Sequence, residues 1–161
     1  MSAREKTREV KITEASEADR ETVLFLVERL LKELEDNPEE FQGVDPAKVL
    51  RDLDAAPERF TAFLARDGQD APIGVATVVE TFAIYAGGHY GVIDEMYVVP
   101  DRRGEGIGER LLEAVKEHGR RRGWLRVDVT APPEKRWKRT VKFYEAAGFV
   151  FTGPKLRHKL R

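Results

Sequence analysis

The sequence contains no cysteine, which excludes disulfide bonds, thiolate nucleophiles and cysteine-based zinc sites. Side-chain amides are scarce as well, since asparagine occurs only at position 37 and glutamine only at positions 42 and 69. This scarcity, together with abundant Glu, Lys and Arg, is typical of thermophilic or stability-engineered proteins, although GC-rich coding produces a similar bias. No apolar run approaches about 18 residues, and the first residues lack the apolar core of a signal peptide. We therefore expect a cytoplasmic protein that does not enter a membrane.

Charge of one sign is also lacking, because 28 Lys and Arg residues stand against 29 Asp and Glu residues. Such a balance gives no overall field for binding nucleic acid or an anionic membrane. The basic tail Lys155–Arg161 has no aromatic platform for RNA. The acidic stretch Glu33–Glu40 is interpreted as a solvated helix end, with recruitment of an acceptor as the alternative.

A chain of 161 residues fits one domain, so we predict a single domain over residues 1–161.

Hydrophobic periodicity divides the chain into helices and strands. Short polar turns separate the central strands, which predicts an antiparallel meander followed by strand, helix, strand and helix. The predicted fold class is therefore mixed α/β (α+β). The predicted helices cover residues 17–35, 46–56, 105–122 and 134–147, and the predicted strands are Val10–Ile12, Phe60–Ala65, Ile73–Tyr85, Tyr90–Val99, Trp124–Thr130, Phe149–Thr152 and Leu156–Leu160.

A glycine-rich loop lies between a predicted strand and a predicted helix, with the sequence Arg102-Arg103-Gly104-Glu105-Gly106-Ile107-Gly108. Glycines let a ligand approach the backbone closely, and a helix N-terminus attracts anions. The two arginines could add bidentate phosphate contacts, so the loop indicates a phosphate-bearing ligand. A tight turn with solvated arginines is the alternative. The Walker motif is absent, and Glu109 and Leu111 stand where the dinucleotide motif needs its third glycine.

Two segments carry a resemblance to a known family. The residues Val98-Val99-Pro100, followed by Arg103-Gly104-x-Gly106-x-Gly108, resemble the pyrophosphate motif of GNAT acetyltransferases, usually Gln/Arg-x-x-Gly-x-Gly/Ala. The later segment Phe143-Tyr144-x-x-x-Gly148-Phe149 is similar to a second signature of that family. The resemblance implies a GNAT-type fold, with a central, mostly antiparallel twisted sheet and about four flanking helices. It also implies acetyl-CoA as the acyl donor and makes a homodimer possible.

By the same resemblance, the family's cofactor contacts fall on the predicted strand and loop. The backbone of Met96, Tyr97 and Val98 would contact pantetheine, and the loop Arg102, Arg103, Gly104, Glu105, Gly106, Ile107 and Gly108 would hold the phosphates. Many family members carry asparagine seven residues before the tyrosine and alanine four before it, where this chain has Trp137 and Thr140. The asparagine contact is therefore not carried over. Trp137 is interpreted as a packing anchor or as a wall of the cofactor or acceptor pocket.

The resemblance implies N-acetyl transfer from acetyl-CoA to a primary amine of a small molecule or peptide. This reaction needs a neutral amine, stabilisation of an oxyanion and a proton for the departing sulfur. Tyr144 matches the family's proton donor, and a structural role for its hydroxyl is the alternative. Asp94 and Glu95 are candidate bases, on opposite faces of the strand unless a bulge intervenes. Asp94 is slightly favoured, because Ile93–Val98 is similar to spermidine/spermine acetyltransferases. Glu95 or a water chain could serve instead.

The three histidines are weaker candidates. His89 is placed in a turn near the acceptor side, while His118 and His158 are predicted to be solvated. No His and carboxylate pair has metal-ligand spacing, so no metal is predicted.

Two alternatives to an enzyme remain: a non-catalytic acyl-CoA-binding module, and a scaffold or partner-binding protein of the same fold.

Overall fold

The structure is a computed structural model, and it describes residues 9–34, 45–55, 57–130, 138–153, 155–158 and 160. No helix in these ranges combines the length and the apolar character needed to cross a membrane. The strands are β1 (Val10–Glu14), β2 (Phe60–Asp67), β3 (Pro72–Ala83), β4 (Gly88–Val98) and β5 (Val127–Val129). The α-helices are α1 (Arg20–Glu33), α2 (Pro46–Asp54), α3 (Ile107–Arg122) and α4 (Lys138–Ala146).

The five strands form one sheet in the order in which they occur along the chain. The pairings from β1 to β4 are antiparallel, as expected for strands joined by short turns or by helices that return the chain. The last pairing, between β4 and β5, is parallel and joins only Gly91–Ile93 to Val127–Val129. The predicted meander and the mixed α/β fold class are confirmed.

Apolar side chains alternate along the strands and so form a core on each face of the sheet. On one face α1 packs against β3 and β4, and on the other face α3 packs against β2, β3 and β4. The buried residues of the α1 core are Val23, Leu26, Ala62, Leu64, Val75 and Tyr97. Those of the α3 core include Phe63, Ala76, Val78, Ile93, Ile107, Leu111, Leu112 and Val115. The strand that carries the predicted site residues therefore lies between two helical layers.

Hydrogen bonds confirm both predicted N-terminal caps, although the first helical turn, Glu17–Asp19, is a 3-10 helix and α1 itself begins at Arg20. The backbone N–H and the hydroxyl of Ser16 both donate to the Asp19 carboxylate, at 2.9 and 2.8 Å. The Asp45 carboxylate accepts from the amides of Ala47 and Lys48 at 3.0 and 3.3 Å. These contacts satisfy amides that a helix leaves without intrahelical partners.

The C-terminal strand predictions are wrong for the residues that the structure describes. Residues 149–153, 155–158 and 160 form no strand, and the predicted strand Trp124–Thr130 shortens to β5. The Phe149 amide donates to the Tyr144 carbonyl, so it completes the end of α4 instead of joining a sheet. The Trp124 amide likewise donates to the Gly119 carbonyl and completes the end of α3. Alternation was the signal in Trp124–Thr130 and a short apolar run was the signal in Phe149–Thr152, but hydrogen bonding at the helix ends uses the first amide of each segment.

The His118 side chain is only 13% exposed, so the prediction that it is solvated is wrong. Its ring lies 5.7 Å from the Phe63 ring and 5.3 Å from the Trp124 ring, between centroids, and burial lowers its pKa. The residues Leu111, Val115 and His118 are spaced four and three apart, which places them on one helical stripe. The sequence analysis predicted a solvated histidine because Arg120, Arg121 and Arg122 follow it closely. The Trp124 ring also packs directly on Gly91 of β4. A Cβ at position 91 would lie 2.3 Å from this ring, so no larger residue fits there.

Glu80, on β3, connects the C-terminal end of α3 to the sheet through hydrogen bonds. Its carboxylate accepts hydrogen bonds from the Arg122 guanidinium at 2.8 and 3.0 Å and from the Trp124 indole at 2.6 Å. The side chain is only 14% exposed. The Arg122 hydrogen bonds, with the Trp124 bond and the opposite charge adding to them, overcome burial and lower its pKa to about 2.

We expect Glu80→Gln to lower the free energy of unfolding by up to about 3 kcal/mol at pH 7. The folded pKa lies below the unfolded value of 4.5, so this stabilisation is present above pH 4.5 and is lost as the pH falls towards 2. Denaturant titrations of both proteins between pH 3 and 7 measure the difference. Glu113→Gln is the matched control, because the Glu113–Arg120 pair is more than half exposed on both sides and should contribute little. Equal losses in the two variants would contradict the role of Glu80.

Candidate active site

The glycine loop joins the end of β4 to the start of α3. Gly104 and Gly106 adopt φ angles of 81° and 78°, in the left-handed region that favours glycine. Gly106 immediately precedes α3, and its carbonyl accepts the first helical hydrogen bond, from the Arg110 amide at 3.2 Å. The first amides of an α-helix have no intrahelical partner. The loop therefore directs a group of backbone donors, at the positive end of a helix of 16 residues, away from the helix.

An open strand edge leads to this loop. The pairing between β4 and β5 stops at Ile93, whereas β4 continues to Val98. Within the described chain no strand pairs with the outer edge of β4 beyond Ile93. Such an edge offers backbone N–H and C=O groups to a ligand. The predicted pantetheine contacts Met96, Tyr97 and Val98 all lie along it.

The two sequence motifs meet in space. A Cβ at Gly108 would lie 3.0 Å from the Phe143 ring, so α4 approaches the start of α3 closely. Tyr144 follows Phe143, and only 7% of it is exposed. Its ring centroid lies 5.1 Å from that of Phe143 and 5.5 Å from that of Phe149. Trp137, seven residues before Tyr144 in the sequence, lies outside the described residues.

Burial determines the ionisation of Tyr144 and raises its pKa to about 12. Among the described residues, its hydroxyl has no hydrogen-bond partner. The phenol therefore keeps its proton over the whole neutral range and is able to donate it to a hydrogen bond.

A β-bulge orients the two candidate carboxylates. Ala76 pairs with Met96 and Val78 pairs with Ile93, so Asp94 and Glu95 together face the single residue Thr77. Ile93 and Met96 both pack in the α3 core. Alternation from each of them places Asp94 and Glu95 on the opposite, α1 face. The bulge that the sequence analysis left open is therefore present, and both carboxylates lie on one face.

Thr77 holds Glu95 in place and was missed by the sequence analysis. Its hydroxyl donates to the half-buried Glu95 carboxylate, and the Glu95 amide donates to the same hydroxyl oxygen at 3.0 Å. Burial raises the pKa of Glu95, although the Thr77 bond opposes the shift. Partial desolvation also raises the pKa of the more exposed Asp94, against the opposing charge of Lys155. The available signal was a single polar residue, Thr77, in the apolar run of residues 73–79.

Both loop arginines are paired within the protein. Arg102 is 12% exposed, donates to Glu105 at 2.8 Å and lies 4.0 Å from the Asp67 carboxylate. Arg103 donates to the Val98 carbonyl at 2.8 Å and to both carboxylate oxygens of Glu33 at 2.8 and 2.9 Å. Their predicted phosphate contacts stay predictions, and the openly offered donors of the loop are its amides. No local pattern in the sequence indicates that Glu33 reaches this loop.

Other candidates lie apart from these groups. The His89 Nδ1 lies 3.3 Å from a Glu80 carboxylate oxygen, and its side chain is 60% exposed. Among the described residues no cluster of His, Asp or Glu could hold a metal ion. A cavity of about 210 Å³ lies at the opposite end of α1, between Arg20, Leu50 and Phe60, and none of the predicted site residues lines it.

Comparison with known proteins agrees with this arrangement. The sequence model of the Acetyltransferase (GNAT) family matches residues 27–149, about three quarters of the chain. Glucosamine 6-phosphate N-acetyltransferase 1 of Oryza sativa subsp. japonica is 35% identical over 86 residues. That match covers 53% of this chain and 48% of the relative, so the chain matches about half the length of this curated relative.

Solved structures share the fold. A predicted acetyltransferase with acetyl-CoA from Clostridium acetobutylicum superposes with a TM-score of 0.77 at 20% identity, covering 94% of this chain and 96% of that one. An aminoglycoside acetyltransferase from an uncultured soil metagenomic sample, in complex with sisomicin, has a TM-score of 0.75 at 19% identity, covering 94% and 97%. At these identities the likeness establishes the fold alone. The family match adds the sequence evidence, and the chain belongs to the GNAT acetyltransferase family, as its two motifs predicted.

Proposed function

We propose that this protein is an acetyl-CoA-dependent N-acetyltransferase that acts on a primary amine of a small molecule or peptide. The observation that carries the proposal is the contact between Gly108 and Phe143. It brings the amides of the glycine loop, the open edge of β4 and the Tyr144 phenol to one end of the sheet. A turn with no ligand would not require the family's two motifs to meet beside an unpaired strand edge.

The residues present fit coenzyme A. The amides of Gly104–Gly108 would hold its phosphates, because they stand at a helix N-terminus. The open edge of β4 at Met96–Val98, apart from the Val98 carbonyl that accepts from Arg103, would bind the amide groups of the pantetheine arm. Bound acetyl-CoA would supply the acetyl thioester that an amine attacks, forming a C–N bond and breaking the C–S bond. The protein's own groups then have to take one proton from the amine nitrogen and stabilise the departing sulfur.

Glu95 is the base that the geometry supports best. Thr77 fixes its carboxylate, and burial raises its pKa towards the working range of a general base. It would take the proton from the amine nitrogen as the C–N bond forms. Asp94 lies on the same face and is more exposed, so it would attract a cationic acceptor. Tyr144, which stays protonated, would donate a hydrogen bond to the sulfur.

The acceptor class follows from the carboxylates and from the relatives. Two carboxylates on one face favour an amine that arrives as a cation and gives up one proton to solvent before the neutral nitrogen attacks. The rice relative is named for glucosamine 6-phosphate, and the metagenomic enzyme was solved with the aminoglycoside sisomicin. Amino sugars are therefore the first acceptors to test, followed by polyamines and peptides.

Release of free thiol from acetyl-CoA in the presence of a library of amines tests the proposal. We expect thiol release that depends on at least one added amine, with the acetylated amine detected by mass spectrometry. Binding of acetyl-CoA without amine-dependent release would favour the non-catalytic acyl-CoA-binding module. Failure to bind acetyl-CoA at all would favour a scaffold role.

We expect Glu95→Gln to remove the acidic limb of the pH dependence of kcat/KM, because the limb reports protonation of the base. Its midpoint in the unmodified protein should lie above the ordinary glutamate value of 4.5. Steady-state rates between pH 4.5 and 9 measure it. Asp94→Asn is the matched control and should raise KM for the amine while keeping the limb. The opposite pattern would give the role of base to Asp94, as the sequence resemblance favoured.

The same variant has a second readout in stability. Because the folded pKa of Glu95 is raised, its ionisation destabilises the fold as the pH rises through that pKa. Glu95→Gln should therefore have a higher Tm than the parent at pH 7, and the difference should disappear below about pH 4.5. A lower Tm at pH 7 would mean that the Glu95 charge is stabilising, and it would remove the argument from burial.

A further inference from the structure

We infer that Glu33, at the end of α1, is a positioning residue that fixes the cofactor loop by clamping Arg103. The inference rests on the proposed function in one respect, since it assumes that coenzyme A binds at the Gly104–Gly108 amides. It departs from the motif-based expectation that Arg103 is a phosphate ligand.

The contacts of Arg103 all lead back into the protein. The Nε donates to the Val98 carbonyl at 2.8 Å, and one terminal nitrogen donates to both Glu33 oxygens at 2.8 and 2.9 Å. The guanidinium also lies over the Tyr97 ring, 5.4 Å from its centroid. Tyr97 is 4% exposed and belongs to the α1 core. The guanidinium is thus held against strand, ring and helix at once, immediately before Gly104.

The position of Glu33 is unusual for a carboxylate. It is the last residue of α1, where the helix dipole disfavours negative charge. The Arg103 cation compensates this cost and connects two segments that are 70 residues apart in sequence. A carboxylate at a helix C-terminus is therefore explained by its partner and not by the local helix.

The loop lacks a surplus of positive charge that would argue for direct phosphate binding by Arg103. Arg102 is neutralised by two carboxylates, Glu105 within the loop and Asp67 at the end of β2. Glu33 neutralises Arg103 on the side of α1. The two arginines therefore anchor the loop from both sides, and the clamp presents the Gly104–Gly108 amides in a fixed geometry. Preorganised donors bind a ligand more tightly than donors that have to be ordered on binding.

Calorimetric titration with coenzyme A tests the clamp. We expect Glu33→Gln to weaken binding roughly 3- to 10-fold, because the neutral amide cannot hold the guanidinium as an ion pair. Arg103→Lys should weaken it as much as Arg103→Ala, since lysine keeps the charge but loses the fork geometry. The double variant Glu33→Gln/Arg103→Ala should bind no more weakly than Arg103→Ala alone, as residues acting through one contact do. Glu21→Gln, an exposed charge removal in the first turn of α1, is the matched control and should bind normally.

Hydrogen exchange of the free protein gives a second readout. The hydrogen-bonded amides that flank the loop, those of Arg102, Arg103 and Arg110, should exchange faster in Glu33→Gln than in the parent, while the amides of β2 and β3 stay unchanged. Unchanged or tighter coenzyme A binding by Glu33→Gln would overturn the clamp, and tighter binding would mean that Glu33 competes with the phosphates for Arg103. If Arg103→Lys keeps the parent affinity, Arg103 acts by charge and the clamp is refuted. If the parent protein itself fails to bind coenzyme A, the proposed function fails, and the exchange data still decide whether Glu33 orders the loop.

Discussion

Replacing Gly106 with valine is expected to abolish measurable acetyl-CoA binding, a loss of at least about 100-fold, while the domain stays folded. Gly106 has a φ of 78°, where a β-branched residue is a steric outlier. The strain costs about 1–3 kcal/mol, which a domain with 5–15 kcal/mol of stability tolerates. Relief of that strain has to rotate the amides that follow, and those are the donors proposed to hold the phosphates. Isothermal calorimetry measures the loss, and circular dichroism reports the fold.

The other end of the same helix provides the matched control. Gly123 follows α3 with a φ of 75°, and a Cβ there would meet no atom within 4 Å. At Gly106 the nearest atom to such a Cβ is a Glu109 carboxylate oxygen at 4.0 Å. Gly123→Val should therefore destabilise the domain about as much as Gly106→Val but leave acetyl-CoA affinity intact. Parent-like affinity in Gly106→Val would refute the placement of the phosphates on this loop.

The fold was predictable wherever local signals agreed with the tertiary structure. Ser16 and Asp45 predicted helix starts, where the Asp19 carboxylate accepts from the Ser16 amide and the Asp45 carboxylate accepts from the Ala47 amide. Apolar runs separated by short turns predicted the meander, because the central strands bury both of their faces against helices. The strand predictions failed at Phe149–Thr152 and at the start of Trp124–Thr130. There the Phe149 and Trp124 amides are used to complete helices, a competition that periodicity does not register.

The sequence motifs predicted the glycine loop and Tyr144, but not the contacts that orient the other residues of the site. The glycine loop and the Phe143-Tyr144 segment were recognisable, because their residue types are needed at fixed spacing along the chain. The bulge at Asp94 and Glu95 was not, since it depends on the register between β3 and β4. The partners Thr77 and Glu33 come from distant parts of the sequence and carry no local signature. Long-range contacts of this kind decide the ionisation of Glu95 and the geometry of Arg103.

Tyr144→Phe is expected to lower the rate of acetyl transfer about 10²-fold while acetyl-CoA affinity changes little. The substitution keeps the ring, which packs between Phe143 and Phe149, and deletes only the hydroxyl. With a pKa of about 12, the phenol holds its proton more tightly than a thiol of pKa near 8.5 by roughly 3 to 4 pKa units. Complete proton transfer to the sulfur is therefore uphill, and the phenol should act chiefly by donating a hydrogen bond as negative charge develops there. Hydrogen bonds to charged groups contribute about 1.5–3 kcal/mol, which corresponds to a factor of roughly 10 to 150.

The pH dependence distinguishes this role from that of a titrating acid. Because Tyr144 stays protonated, the parent should show no loss of kcat from this residue below about pH 11, and Tyr144→Phe should lower the whole profile without moving its limbs. Single-turnover rates at saturating amine measure the chemical step, and Tyr85→Phe, which removes an exposed phenol from the turn between β3 and β4, is the control. A parent-like rate for Tyr144→Phe would leave the hydroxyl without a catalytic role, and water would then have to stabilise the departing sulfur. A fall in acetyl-CoA affinity as large as the fall in rate would instead make Tyr144 a binding residue, since a group that acts only as the charge develops does not contribute to the ground state.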